Sequence, residues 1–154
     1  MKIRKGKDSD ISQIINLFKI LDLKHIKNQN DFKQFINLER YTYLIDKCLK
    51  EQDYFLIIAE NSDKLIGFGI GRLLQIENHP FLKNKKIGEI LYLVIDEEFK
   101  LNGYGKNILK TLENQLKLKG AESFELRVYN FNKEAQPEKV NYKKKFTIYE
   151  KSIE

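Results

Sequence analysis

The sequence predicts a mixed, mostly antiparallel β-sheet with helices on both faces, an α/β (α+β mixed) class of fold. Two observations carry this. Apolar runs Tyr54–Ala59 and Leu65–Leu74 flank a turn-forming Asn61–Lys64, which makes an antiparallel hairpin. A later strand, helix and strand between Ile87 and Val128 form one crossover unit among these hairpins. The resulting order is β-α-α-β-β-β-α-β-α-β, which is not that of a doubly wound Rossmann fold.

Lys2–Arg4 reads as a short strand, and Asp8, Ser9 and Asp10 offer side-chain oxygens to start a helix with Ile11, Ile14, Ile15, Phe18 and Leu21 on one face. A polar stretch, Lys24–Asn30, leads to a second helix carrying Phe32, Phe35, Ile36, Tyr41, Leu44, Ile45 and Cys48 and ending near Lys50. In the second hairpin strand Gly67, Gly69 and Gly71 share one face, which suits close approach of a ligand or of a packed helix. Ile87–Ile95 is a buried strand, and Ile108, Leu109, Leu112 and Leu116 mark a helix that Gly120 stops. Phe124, Leu126 and Val128 alternate as a strand, Lys133–Lys145 reads as partly helical, and Phe146 with Ile148 suggests a closing strand.

With 154 residues, 42% hydrophobic, the chain fits one domain spanning 1–154. No apolar run approaches a membrane span, and the basic start Met1–Lys7 lacks a secretory h-region, so a soluble, cytoplasmic protein with no membrane partner is expected. The single cysteine, Cys48, excludes a disulfide framework and a multi-Cys zinc site and reads as a packed, inert thiol. His25 and His79 stand alone in polar loops without partners at metal-ligand spacing, so no metal is expected. The net charge of +6 comes from 24 Lys and only 4 Arg, accompanied by abundant Asn and Ile. That bias follows from AT-rich codons, and no recognition-helix, zinc-finger or ribonucleoprotein signature is present, so nucleic acid is not the expected partner.

The segment Glu89-Ile-Leu-Tyr-Leu93-Val94-Ile95-Asp-Glu-Glu-Phe-Lys100-Leu101-Asn102-Gly103-Tyr104-Gly105-Lys106 places a glycine-containing turn between a buried strand and a helix start. Free N–H groups and the positive dipole end make such a helix N-terminus an anion cradle, and glycine lets the backbone come close. A dinucleotide fingerprint would need a third glycine where Ile108 stands, and no P-loop pattern occurs.

These residues resemble motif A of the GCN5-related N-acetyltransferase (GNAT) superfamily, Arg/Gln-x-x-Gly-x-Gly/Ala, with Lys100 in the first position and Leu101 replacing a frequent glycine. The similarity in element order extends over nearly the whole chain. It implies acetyl-CoA as acyl donor, with its pyrophosphate on the N–H groups of Leu101, Asn102, Gly103, Tyr104, Gly105 and Lys106. The pantetheine arm would pair with Leu93, Val94 and Ile95, which requires the sheet to splay beside Ile95. Asn132 is similar to a family asparagine that follows the next strand and contacts the cofactor.

By the same resemblance Glu89 occupies the place of a general base, and Tyr142 resembles the tyrosine that protonates the CoA thiolate. The segment before Tyr142 departs from the family pattern: extra residues include Pro137, and the glycine before Phe146 is missing. Tyr129 is the substitute. An oxyanion donor would be a backbone N–H near Val94. The implied reaction is direct acetyl transfer to a primary amine in a ternary complex; the alternative is a CoA-binding sensor or subunit without transfer. The amine-bearing acceptor, small molecule or peptide, would meet the regions Leu21–Asp53 and Gln75–Lys86, where Asp22, Asp31, Glu39 and Asp46 could attract a cation. Homodimers are common in this family.

Overall fold

Two hydrophobic cores lie on opposite faces of one five-stranded sheet, seen in a computed structural model that describes residues 1–153. Strands β1 (Lys2–Lys5), β2 (Tyr54–Asn61), β3 (Lys64–Ile76), β4 (Lys85–Ile95) and β5 (Ser123–Leu126) lie side by side in chain order. The first three pairings are antiparallel and only β4–β5 is parallel. Helices α1 (Ile11–Asn28) and α2 (Leu38–Lys50) cover one face, and α3 (Tyr104–Leu118) covers the other. The mixed, mostly antiparallel sheet with helices on both faces is therefore as the sequence predicts.

The β2–β3 hairpin turns at Ser62 and Asp63, both with positive φ, the tight turn whose twist matches that of the strands. Phe18 of α1 is fully buried and centres the first core, stacking on Tyr41 at 4.9 Å and meeting Phe68 at 4.7 Å and Tyr92 at 4.9 Å between ring centroids. Under α3 the glycine stripe finds its use. A Cβ on Gly69 would lie 2.7 Å from both Ile108 and Leu112 side chains, and Leu116 stands 3.1 Å from the equivalent point on Gly71. The glycines thus let α3 sit close on the sheet. Asp10 does not cap α1 through its side chain: it accepts two bonds from Arg4, at 2.8 Å each, and one from the Lys7 N–H at 2.9 Å, fastening the helix start to β1. The Arg4 guanidinium holds the Asp10 carboxyl below the usual carboxylate range despite its burial.

Gly67 answers a different need. A Cβ there would stand 2.5 Å from the Val94 carbonyl oxygen, a backbone atom that moves only if β3 and β4 part. Gly67→Ala is expected to lower stability by about 2 kcal/mol, an overpacking cost partly offset by the smaller chain entropy of alanine. Thermal denaturation should show a Tm roughly 5 °C lower, and an unchanged Tm would mean that the two strands yield freely here.

The structure departs from the predicted order in three places. Helix α1 continues to Asn28, so Lys24–Asn28 and His25 are helical, and α2 begins only at Leu38, leaving Phe32, Phe35 and Ile36 in the connection. Asn37 supplies the reason, its side chain accepting from the Arg40 N–H as an N-cap. After β5 the closing strand does not form, and the helical part is reduced to a single turn. Lys133–Lys145 holds one 3-10 turn, Pro137–Val140, opened by the proline and closed by Asn141 in the left-handed region, and Phe146–Ile148 is not in a strand.

Candidate functional site

Strand β4 changes character halfway along. Ile70 pairs with Tyr92 but Gly71 pairs with Ile90, so Leu91 is an extra residue, a β-bulge. The parallel pairing to β5 stops at the same level, with Ile90 opposite Leu126. Beyond it, residues 91–95 have no neighbour on the β5 side, and the sheet is open there.

Which backbone groups face that opening follows from antiparallel alternation. The Asp96 N–H donates to the Ile66 carbonyl at 2.8 Å, and the Phe68–Val94 and Ile70–Tyr92 pairs precede it in steps of two. Tyr92 and Val94 therefore spend their N–H and C=O groups on β3, whereas Leu93 and Ile95 direct theirs into the opening. Of the three residues expected to pair with an extended ligand, the structure gives an outward backbone to Leu93 and Ile95 and ties Val94 to its neighbour.

The opening leads directly to the turn before α3. Leu101 has φ +64° and is fully exposed, Gly103 has φ +78°, and α3 begins at Tyr104. None of the N–H groups of Leu101, Asn102, Gly103, Tyr104, Gly105 and Lys106 finds an acceptor among the described residues; the first bonded one is Asn107, to Gly103 at 3.2 Å. Gly105 packs against the side chains of Leu93 and Ile95, which places this row of donors beside the open edge of β4. Free donors at a helix start are an arrangement that can receive an anion.

Lys100 lies at the rim of this row, and its Nζ donates to Glu97 at 2.5 Å and to Glu134 at 2.7 Å. Glu134 Oε2 also meets Lys24 of α1 at 3.4 Å. Burial works against the charge on Lys100, yet Glu134 and Glu97 together raise its pKa above the ordinary value. Asn132 sits in the turn that presents Glu134, its N–H bonded to Tyr129 O at 2.9 Å and its carbonyl accepting from Ala135 at 3.2 Å.

Glu89 lies one residue before the level of the splay. Its Oε2 accepts from Nε of Arg72 at 2.9 Å and also from an Nη of the same guanidinium. The carboxylate belongs to the α1/α2 face, because Gly88 and Ile90 on either side of it face α3. Tyr142 belongs to the other face. Its hydroxyl donates to Glu113 of α3 at 2.8 Å, and burial, then that carboxylate, push the phenol well above its usual pKa. Thus the two candidate acid–base groups approach the sheet from opposite sides.

Several features escaped the sequence reading. His25 is not isolated: its ring lies 5.2 to 5.7 Å from those of Phe32, Tyr129 and Phe131, and its Nδ1 meets the Leu21 carbonyl at 2.9 Å. This cluster ties the end of α1 to the segment after β5, and it is where Tyr129 lies. The periodicity of α1 passing through Lys24–Asn28 was the only available signal. Asp22 is engaged by Arg40 and Tyr41, both at 2.5 Å, and Asp46 by Lys50 at 2.6 Å, so neither acid is a free cation site. His79 caps its own loop, Nδ1 accepting from the N–H groups of Phe81 and Leu82. Burial pushes the Cys48 thiol up to about 12, in keeping with a packed side chain. Among the described residues no cluster of three or more His, Cys, Asp or Glu is arranged to hold a metal, and no helix is long and apolar enough to cross a membrane.

Comparison with known proteins bears on the chain as a whole. A family model described as the acetyltransferase (GNAT) family matches residues 20–137. Among solved structures, a mutant of the BH1408 protein from Bacillus halodurans superposes with a TM-score of 0.89 at 19% identity, covering 99% of each chain. Glucosamine-6-phosphate N-acetyltransferase from Arabidopsis thaliana follows with a TM-score of 0.73 at 22% identity over 99% of this chain and 98% of that one. An aminoglycoside acetyltransferase from an uncultured soil metagenomic sample gives 0.69 at 16% identity, over 99% and 96%. At these identities the likeness is one of fold. No curated protein sequence matches the chain.

Proposed function

The chain belongs to the acetyltransferase (GNAT) family, and from that premise we propose that it moves an acetyl group from acetyl-CoA to a primary amine in a ternary complex. The observation that carries the donor is the row of six uncommitted N–H groups, Leu101 to Lys106, beside the open edge of β4. The row fits the pyrophosphate, and the outward groups of Leu93 and Ile95 fit the amides of the pantetheine arm, which would run as a surrogate strand where β5 is missing. Asn132 is the cofactor contact proposed from the other side, two residues before Glu134, whose carboxylate meets Lys100.

In this reading Glu89 takes a proton from the ammonium, the neutral amine nitrogen bonds to the thioester carbon, the C–S bond breaks, the departing sulfur takes a proton from Tyr142, and the proton then lost by the acylated nitrogen restores the tyrosine. Glu89 acts directly or through a water, with the oxygen that Arg72 does not engage. Tyr142 has to release Glu113 to reach the sulfur. A backbone N–H near Val94 polarises the thioester carbonyl, and Leu93 and Ile95 are the residues whose N–H groups face that way. The acceptor enters over the α1/α2 face, where Glu89 lies. The Tyr142–Glu113 bond is also what favours a second reading, a CoA-binding subunit without transferase chemistry.

Calorimetric titration with acetyl-CoA, followed by mass spectrometry of a panel of amines, separates these readings. Micromolar binding with an acetylated product supports transfer, binding without product supports the subunit, and no binding overturns both. Glu134 provides a finer check, since its carboxylate holds Lys100 where a phosphate would. Glu134→Gln is expected to tighten acetyl-CoA binding two- to fivefold, the scale of an exposed ion pair, with the gain shrinking at high salt.

A further inference from the structure

Strand register brings four polar side chains into one line across the sheet. Tyr54 of β2 pairs with Arg72 of β3, Arg72 with Glu89 of β4, and Glu89 with Glu125 of β5. All four face α1 and α2, because their strand neighbours Phe55, Gly71, Ile90 and Phe124 face α3.

The line ends in two carboxylates on adjacent strands, whose backbones lie about 4.8 Å apart. Like charges so placed repel, and each calls for a cation. Arg72 engages one oxygen of Glu89. The cation on the other side is Lys145, whose Nζ donates to Glu125. Residues 143–153 make no backbone hydrogen bond among the described residues, so the lysine is held here through its side chain and not by backbone pairing.

What Lys145 brings to this place is a primary amine, the group that the proposed reaction consumes. It arrives on the face where Glu89 lies, beside that carboxylate, and at the mouth of the opening: Glu125 precedes Leu126, the last paired residue of β5. Of the ammonium groups paired with a carboxylate among the described residues, only that of Lys145 meets a cross-strand neighbour of Glu89.

We infer that the chain acetylates its own Lys145, with Glu125 positioning the amine, an inference that rests on the transfer reaction proposed above. Glu89 takes a proton from the Lys145 ammonium, and the neutral nitrogen bonds to the thioester carbon of acetyl-CoA. The C–S bond breaks, the sulfur leaves as the thiol of CoA with a proton from Tyr142, and the proton lost by the acylated nitrogen restores the tyrosine. The product is an uncharged amide, which releases Glu125. Because the amine is tethered, its concentration at the site does not depend on how much protein is present.

Peptide mass spectrometry after incubation with acetyl-CoA tests this. Lys145 should gain one acetyl group ahead of the other lysines, at a rate per molecule that does not change when the protein is diluted. Glu89→Gln should slow this site about a hundredfold and leave the slow chemical background at the other lysines as it was. Glu125→Gln should slow it roughly two- to fivefold, the scale of an exposed ion pair, with calorimetric binding of acetyl-CoA unchanged. Lys145 left unmodified while an external amine is acetylated would overturn the inference and leave the transfer reaction standing. Acetyl groups spread evenly over the lysines, or a rate at Lys145 that rises with protein concentration, would overturn it as well. Acetyl-CoA bound with no acetyl product on any amine would overturn the transfer reaction itself, and the inference with it.

Discussion

Gly103→Glu should lose acetyl-CoA binding by at least about a hundredfold, or roughly 2.7 kcal/mol, in a protein that still folds. The fold survives because a Cβ at this position meets nothing within 4 Å. What remains is the cost of a side chain at φ +78°, on the order of 1 to 2 kcal/mol, which lowers Tm by a few degrees. Binding suffers for a separate reason. The new carboxylate lies among the N–H groups of Leu101 to Lys106 at the positive end of α3, so it competes for the donors as an internal anion and repels the pyrophosphate. Calorimetry on wild type and variant, with Tm measured on both, separates the two effects. Binding retained within a few-fold would show that the phosphates rest elsewhere.

Glu89→Gln should reduce kcat/KM about a hundredfold at pH 7, the lower end of what a positioned base contributes. The substitution keeps the shape and leaves a carbonyl oxygen to accept from Arg72, so Tm should move little. The pH profile distinguishes a base from a strut. At neutral pH an alkyl amine with a pKa of about 10 is protonated, and something must remove its proton before attack. As pH rises toward that value the amine deprotonates by itself, and the deficit of the variant should shrink. A deficit of the same size at every pH would assign Glu89 to bracing Arg72 and leave the base to be found elsewhere.

Much of this architecture could be read from the residues because their patterns report local forces. Hairpin turns, helix periodicity and the glycine-containing junction at Gly103 and Gly105 each involve neighbours in sequence. The segment does lie between β4 and the start of α3. What the sequence hides is pairing between distant groups. Nothing local distinguishes Val94 from Leu93, yet β3 claims the backbone of one and leaves the other open. Asp22 looks like a surface acid until Arg40 and Tyr41 close on it, and His25 looks solitary until Tyr129 and Phe131 return from beyond β5. The end of the chain misled in the other direction. Phe146 and Ile148 alternate as a strand should, but they lie outside any strand and stay exposed.

The bulge at Leu91 turns distance along the chain into a matter of counting. Glu89 faces α1 and α2, and the extra residue shifts the phase of β4 so that Leu93 and Ile95, not Tyr92 and Val94, face α3 and the cradle. The number of residues from Glu89 to Ile95 is therefore fixed by parity, whatever side chains fill the interval. Lengthening or shortening it by one would put either the carboxylate or the Leu93 and Ile95 side chains beside Gly105 on the wrong side of the sheet. Substitutions within this interval should be tolerated far better than single-residue insertions or deletions.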